Sequence, residues 1–125
     1  MQLSFSPGGT LNNKLEEAIV NGFKKYDAGK LDWSLMPEEA LEQVAKVLMF
    51  GKKYGAWNWL DNASQVEYSR YLNAIERHLK AYKRGANRDA ESNLHHLAHV
   101  ITNCLFLITY DNKEIGIDNR KKDLL

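Results

Sequence analysis

Cysteine is almost missing: the 125 residues hold one, Cys104, inside the apolar run Ile101-Thr102-Asn103-Cys104-Leu105-Phe106-Leu107-Ile108. A lone cysteine makes no internal disulfide, which points to a reducing compartment, and apolar neighbours suit a buried filler better than a nucleophile. Charge of one sign is missing too. Seventeen Lys+Arg stand against sixteen Asp+Glu, a net charge of +1, so the basic excess of a duplex-binding module is absent and no direct nucleic-acid binding is expected. No apolar run approaches the ~20 residues of a membrane span. Met1-Gln2-Leu3-Ser4-Phe5 carries no basic region followed by an apolar stretch, so no signal peptide is expected and the expected location is the cytoplasm. Strand-like alternation, internal repeats, a Walker-type glycine loop and a G-x-S-x-G elbow are all lacking. Any phosphate chemistry must therefore rest on side chains and a metal rather than on a glycine cradle.

What remains is an ordinary globular composition, 44% hydrophobic and 26% charged, in a chain of single-domain length. Helical spacing dominates. After an irregular start over residues 1–12, with the turn residues Ser6-Pro7-Gly8-Gly9, Asn13 and Glu16 resemble a capping box. Leu15, Ala18, Ile19 and Phe23 continue that first helix. A second opens at Pro37, with Glu38 and Glu39 at its positive end, and runs through Leu41, Val44, Val47 and Leu48 to Gly51. A third is expected over about 65–84, its stripe Leu72, Ile75, Leu79 and Tyr82, with Gly85 beyond its end. Asp89 reads as the cap of a fourth, with the stripe Leu94, Leu97, Ile101, Leu105 and Ile108. Residues 111–125 read as a charged, frayed tail. The expectation is an all-α bundle of four main helices in a single domain, 1–125.

Several groups of residues carry chemistry. Glu38, Glu39 and Glu42 form E-E-x-x-E, whose carboxylates are one helical turn apart and suit a hard divalent ion; equally, acids are common at a helix start. His96 and His99 are also a turn apart, with Asn103 extending their stripe, and suit metal ligation, proton transfer, phosphate contact or simple packing. Arg77 beside His78 offers a planar fork for phosphate or an exposed helix arginine. Trp57 and Trp59 suit a nucleobase stack or a core anchor, and Glu91 a first-turn acid.

Taken in order, Lys25-Tyr26-Asp27-Ala28-Gly29-Lys30, Leu35-Met36-Pro37-Glu38-Glu39-Ala40-Leu41, Gly51-Lys52-Lys53-Tyr54-Gly55 with Asn58-Trp59, Arg77-His78, Asp89-Ala90-Glu91-Ser92 and His96-Leu97-Ala98-His99 resemble the phage dATP/dGTP diphosphohydrolase family over about residues 24–108. The resemblance places the chain among the MazG-like all-α nucleoside triphosphate pyrophosphohydrolases. It implies a MazG-like four-helix bundle that forms a dimer or tetramer. It also implies cleavage of a (deoxy)purine triphosphate, dGTP or dATP, to the monophosphate and pyrophosphate. Two or three Mg²⁺ or Mn²⁺ ions are implied as cofactors. Glu39, Glu42 and His96 are then expected to be catalytic, and Glu38, Glu39, Glu42, Glu91 and His99 to hold metal. Lys30, Lys53, Tyr54, Asn58, Trp59, Arg77 and His78 are expected to bind substrate, with Trp33 a further candidate for the base. One departure stands out: MazG-like enzymes carry a later E-x-x-D motif, where this chain has His96-Leu97-Ala98-His99. Either the histidines replace those acids or Asp89 and Glu91 supply the second acidic arm. A non-catalytic helical adaptor is the alternative from another functional class, although one has no reason to gather acids and histidines on facing helices.

Overall fold

The computed structural model describes residues 19–20 and 23–122. The chain divides into two compact units, Met1–Met36 and Pro37–Leu125. In the first, β1 (Ile19–Val20) and β2 (Phe23–Lys24) pair antiparallel, Ile19 with Lys24 and Val20 with Phe23. The helix expected from Asn13 therefore does not run through Phe23, while its residues 13–18 lie outside the described residues. The overlooked sequence signal is Asn21-Gly22, a dipeptide that favours a two-residue connection between paired strands. A short 3-10 turn, Trp33–Leu35, follows, capped by the Asp32 side chain.

Among its described residues, the second unit is helix and loop. α1 spans Glu38–Phe50 behind Pro37, close to the expected range, because Pro37 has no N–H to lose at a helix start. A 3-10 turn, Gly51–Tyr54, leads to the short α2 (Asn58–Asp61) within the aromatic connector. α3 spans Tyr68–Lys83 and α4 His96–Lys113. Four α-helices are thus present among the described residues, and the all-α class holds. α3 and α4 pair most extensively and α1 packs on α4.

α4 begins later than Asp89. The Asp89 carboxylate does accept the backbone N–H groups of Glu91 and Ser92, as a cap would. Asn93, however, adopts φ 58°, which ends the turn, and His95 pairs back across to Arg88. His95 then caps the helix by accepting the Leu97 N–H on its Nδ1.

Of the expected core stripe, Leu94 packs on the core and Leu97 is half-buried, but the later members are turned outward. Ile101, Leu105 and Ile108 are 42%, 43% and 57% exposed, whereas Thr102 and Tyr110 are buried. His96, His99, Asn103, Phe106 and Tyr110 recur at helical spacing on the inward side, so the polar and aromatic face packs within the unit. Apolar residues occupy both faces of α4, and hydrophobicity alone could not choose between them. One core cluster joins Val44 and Val47 to Ala98 and Leu94; another joins Ala63, Tyr68 and Tyr110 to Trp59, Tyr71 and Phe106.

The C-terminal stretch is not frayed up to Lys122. The Ile117 N–H donates to the Val66 carbonyl at 2.7 Å, and the Tyr68 N–H donates to the Ile117 carbonyl at 2.9 Å. Asn119 Oδ1 accepts the Ser69 N–H at 3.0 Å. The last two of these bonds satisfy first-turn donors of α3 that would otherwise be orphaned. Gly116 allows the approach: at φ +83° a Cβ there would stand 3.0 Å from Tyr68 Cε1 and 3.2 Å from the Val66 carbonyl oxygen.

Tyr110 locks the aromatic cluster. It is fully buried, and its hydroxyl donates to the Trp59 carbonyl, so Tyr71 is the donor in the 3.0 Å contact between the two tyrosine hydroxyls. Tyr110→Phe strips the partner from a carbonyl and a hydroxyl in the core. It is expected to cost about 1–3 kcal/mol in equilibrium denaturation; a cost below measurement error would show that the pair is not holding Trp59.

Candidate active site

A cavity of about 580 Å³ opens between α1, α3 and α4. Its walls differ. Trp59, Tyr71 and Phe106 supply an aromatic side, and the Trp59 indole lies nearly parallel on Phe106 with centroids 4.5 Å apart. Arg77, His78, Asp89, Glu91, His96 and His99 supply the polar side. Tyr54 and Asn58 also line the cavity, and Asn58 Oδ1 accepts from the Asn62 amide at 2.7 Å.

The polar side is tied together by short contacts. His78 Nδ1 and His96 Nδ1 are 2.9 Å apart, so one is the donor and the other the acceptor. His99 lies parallel to His78 at 4.4 Å between centroids, with its Nε2 2.7 Å from Ser92 Oγ. Ser92 Oγ in turn lies 3.2 Å from Asp89 Oδ2. Lys53 reaches over from the turn after α1, with its Nζ 3.8 Å from Glu91 Oε1 and above the Phe50 ring at 4.2 Å. Both of those charges are solvated, so the ion pair positions more than it stabilises.

Burial pushes the His78 imidazole below its ordinary pKa, and the neighbouring His99 pushes it further. Burial does the same to His99, against the opposing pull of Asp89. Both rings are therefore held neutral, with a lone pair available. For Asp89, burial acts upward, but the Ser92 hydrogen bonds outweigh it and hold the carboxyl below its ordinary range. A histidine whose folded pKa is lowered refuses protons that the unfolded chain accepts. Stability of the metal-free protein should therefore fall as pH drops below about 6.5, flattening once the lowered folded values are passed. The Asp89 contribution is lost only further down, below 3.8. Denaturation midpoints measured from about pH 7.5 to about pH 5 check the first loss; a flat profile would show freely solvated rings, and a rise toward low pH rings held charged.

The remaining sequence candidates sit elsewhere. Glu38, Glu39 and Glu42 are exposed on α1. At 3.6 residues per turn, Glu38 and Glu42 fall roughly opposite the Val44–Val47 stripe and Glu39 to its side. None of the three lines the cavity, whose α1 residues come from the helix's other end, around Val47 and Leu48. Lys30 and Trp33 are exposed and belong to the unit Met1–Met36. Sequence reasoning did not assign Tyr71, Phe106 or Ser92 a place in the site. The stripe His96, His99, Asn103, Phe106, Tyr110 carried the signal for Phe106; nothing local marked Ser92 as a bridge.

Residues 21–120 match the family described as dATP/dGTP diphosphohydrolase, N-terminal. The chain belongs to that family. A similar protein is the dATP/dGTP diphosphohydrolase of Salmonella phage PMBT28, 34% identical over 98 residues that cover 78% of this chain and 32% of the relative. The chain thus spans about a third of that relative's length. No solved structure matches the chain. Every lining residue of the cavity falls within the family-matched span. No helix among the described residues is long and apolar enough to cross a membrane.

Proposed function

We propose that this domain hydrolyses a (deoxy)purine nucleoside triphosphate, dGTP or dATP, to the monophosphate and pyrophosphate in a metal-dependent reaction. The observation that carries the proposal is the cavity's division into an aromatic side and a polar side that gathers Arg77, three histidines and two carboxylates, in a member of the dATP/dGTP diphosphohydrolase family. A purine would lie against Trp59, whose orientation Phe106 fixes from behind, and Asn58 N–H groups would meet acceptors on its edge. Arg77 would take phosphate oxygens with its planar fork and Lys53 would add a point charge. His96 and His78 would contact the attacking water and the phosphate oxygens.

Oxygen donors that suit a hard cation stand in two places, although the three on α1 do not converge on one point among the described residues. Glu38, Glu39 and Glu42 form an oxygen-only set, and Asp89 with Glu91 bring carboxylates to the cavity. Bound Mg²⁺ or Mn²⁺ would polarise the scissile phosphate and neutralise the leaving pyrophosphate. From the outward side of α1 the first set would serve a triphosphate held against a second surface, and another copy of the chain is the proposed source. The exposed stripe Ile101, Leu105 and Ile108, with Leu41 and Met49 on α1, supports that self-association. Sedimentation at micromolar concentration should give a dimer or tetramer, and a monomer would remove this support. The MazG-like arrangement and a cytoplasmic location belong to the same proposal.

Incubation with dGTP, dATP and the other triphosphates, with Mg²⁺ or Mn²⁺ and with excess chelator, tests the reaction. Monophosphate and pyrophosphate should appear with purines and metal. Orthophosphate as product, or turnover unaffected by chelator, would overturn it.

A further inference from the structure

The polar side of the cavity contains a donor set unlike the acidic one. His78, Asp89 and His96 each present one ligand atom within 4.8 Å of the other two. Ligands bound at about 2.0–2.1 Å stand roughly 2.9–3.4 Å apart at octahedral or tetrahedral angles. The two Nδ1 atoms, 2.9 Å apart, share one proton in a hydrogen bond, and an ion taking both lone pairs at about that spacing would displace the proton to an Nε2 or to solvent.

The carboxylate is prepared in the same sense. Asp89 Oδ2 accepts the N–H groups of Glu91 at 3.1 Å and Ser92 at 2.9 Å, and the Ser92 hydroxyl lies 3.2 Å away. All these bonds fall on one oxygen, and among the described residues Oδ1 has no partner. Three elements hold the set: α3 carries His78, the 89–95 turn carries Asp89, and α4 starts on His96. The His96 N–H donates to the Asn87 carbonyl at 2.8 Å, which fixes the junction of that turn with the helix. His99 stacks on His78 and meets Ser92, so Ser92 steadies both the carboxylate and the ring that backs His78. Outer contacts of this kind orient metal ligands and tune their affinity.

Two imidazoles and one carboxylate suit a borderline transition ion better than Mg²⁺, which demands oxygen ligands. We infer that His78, Asp89 and His96 bind one divalent transition-metal ion of the zinc class, with its remaining positions open to water or an anionic oxygen in the cavity. This goes beyond the hydrolysis proposed above, because it is a statement about binding that needs no nucleotide.

Chelator-treated protein titrated with Co²⁺ provides the test, with visible ligand-field bands and melting temperature as readouts. One Co²⁺ per chain should give bands characteristic of nitrogen ligation, raise the melting temperature, and be displaced by Zn²⁺. Asp89→Asn keeps an acceptor for the turn while removing the charge, and His78→Gln removes a ring. Each should weaken Co²⁺ binding by roughly a hundredfold, and Ser92→Ala, which leaves all three donors in place, by about tenfold. Glu39→Gln/Glu42→Gln should keep the bands. Absent bands in the wild type, bands unchanged in both Asp89→Asn and His78→Gln, or bands lost with Glu39→Gln/Glu42→Gln would overturn the site. Intact bands without triphosphate hydrolysis would condemn the proposed reaction and leave the metal site standing; hydrolysis without bands would do the reverse.

Discussion

Arg77→Ala is expected to lower pyrophosphate release by about 10²–10³-fold, the usual cost of deleting one charge-stabilising donor at a reacting centre. Little stability should be lost with it. Arg77 is exposed on α3, lines the cavity and makes no hydrogen bond or ion pair among the described residues, so nothing in the fold depends on its guanidinium. Arg77→Lys should recover only part of the loss, because an ammonium is a point charge and cannot take two phosphate oxygens in one plane. A structural arginine would give the opposite pattern, with a lower melting temperature and near-normal turnover. Initial rates across a triphosphate series, set beside melting curves, separate the two; unchanged turnover in Arg77→Ala would remove the cavity's main cation from the mechanism.

The helices of the second unit were largely legible because their boundaries have local causes. Pro37, Gly85 and the apolar spacing of α1 and α3 mark where backbone hydrogen bonds begin and end. The start of α4 was not legible, since the Asp89 carboxylate caps a turn in the same way that it would cap a helix. Only Asn93 at positive φ and the return to Arg88 distinguish the outcomes. The buried face of α4 was hidden for a different reason. Its apolar stripe and its histidine–aromatic stripe both have helical spacing, and the choice between them depends on what α1 and α3 offer opposite. Those partners are Tyr71, His78 and Val47, which bury rings and small side chains rather than Ile101 or Leu105. The candidate site was legible as a set of residue types, Arg77, His78, His96, His99, Asn58 and Trp59. Its geometry was not, because Ser92 and Asp89 join it through a loop that no periodicity describes.

Glu39→Gln and Glu42→Gln are expected to reduce turnover by orders of magnitude while leaving stability within about 0.5 kcal/mol of the wild type, as for exposed substitutions generally. Gln keeps the size and the helix propensity and removes only the charge. Neither glutamate makes an ion pair or a side-chain hydrogen bond among the described residues, so the fold has little to lose. If the acids only complement the helix dipole, the pattern inverts: a few tenths of a kcal/mol of stability go and activity stays. Their outward placement on α1 makes the result sharper, because these side chains can reach a triphosphate only through another surface. Concentration is the variable that exposes this. Loss of activity on dilution of the wild type, in step with dissociation in sedimentation, would tie the acids to a second copy. Full activity of both variants at every concentration would confine the reaction to the cavity, where Asp89 and Glu91 supply the carboxylates and His78, His96 and His99 the imidazoles among the described lining residues.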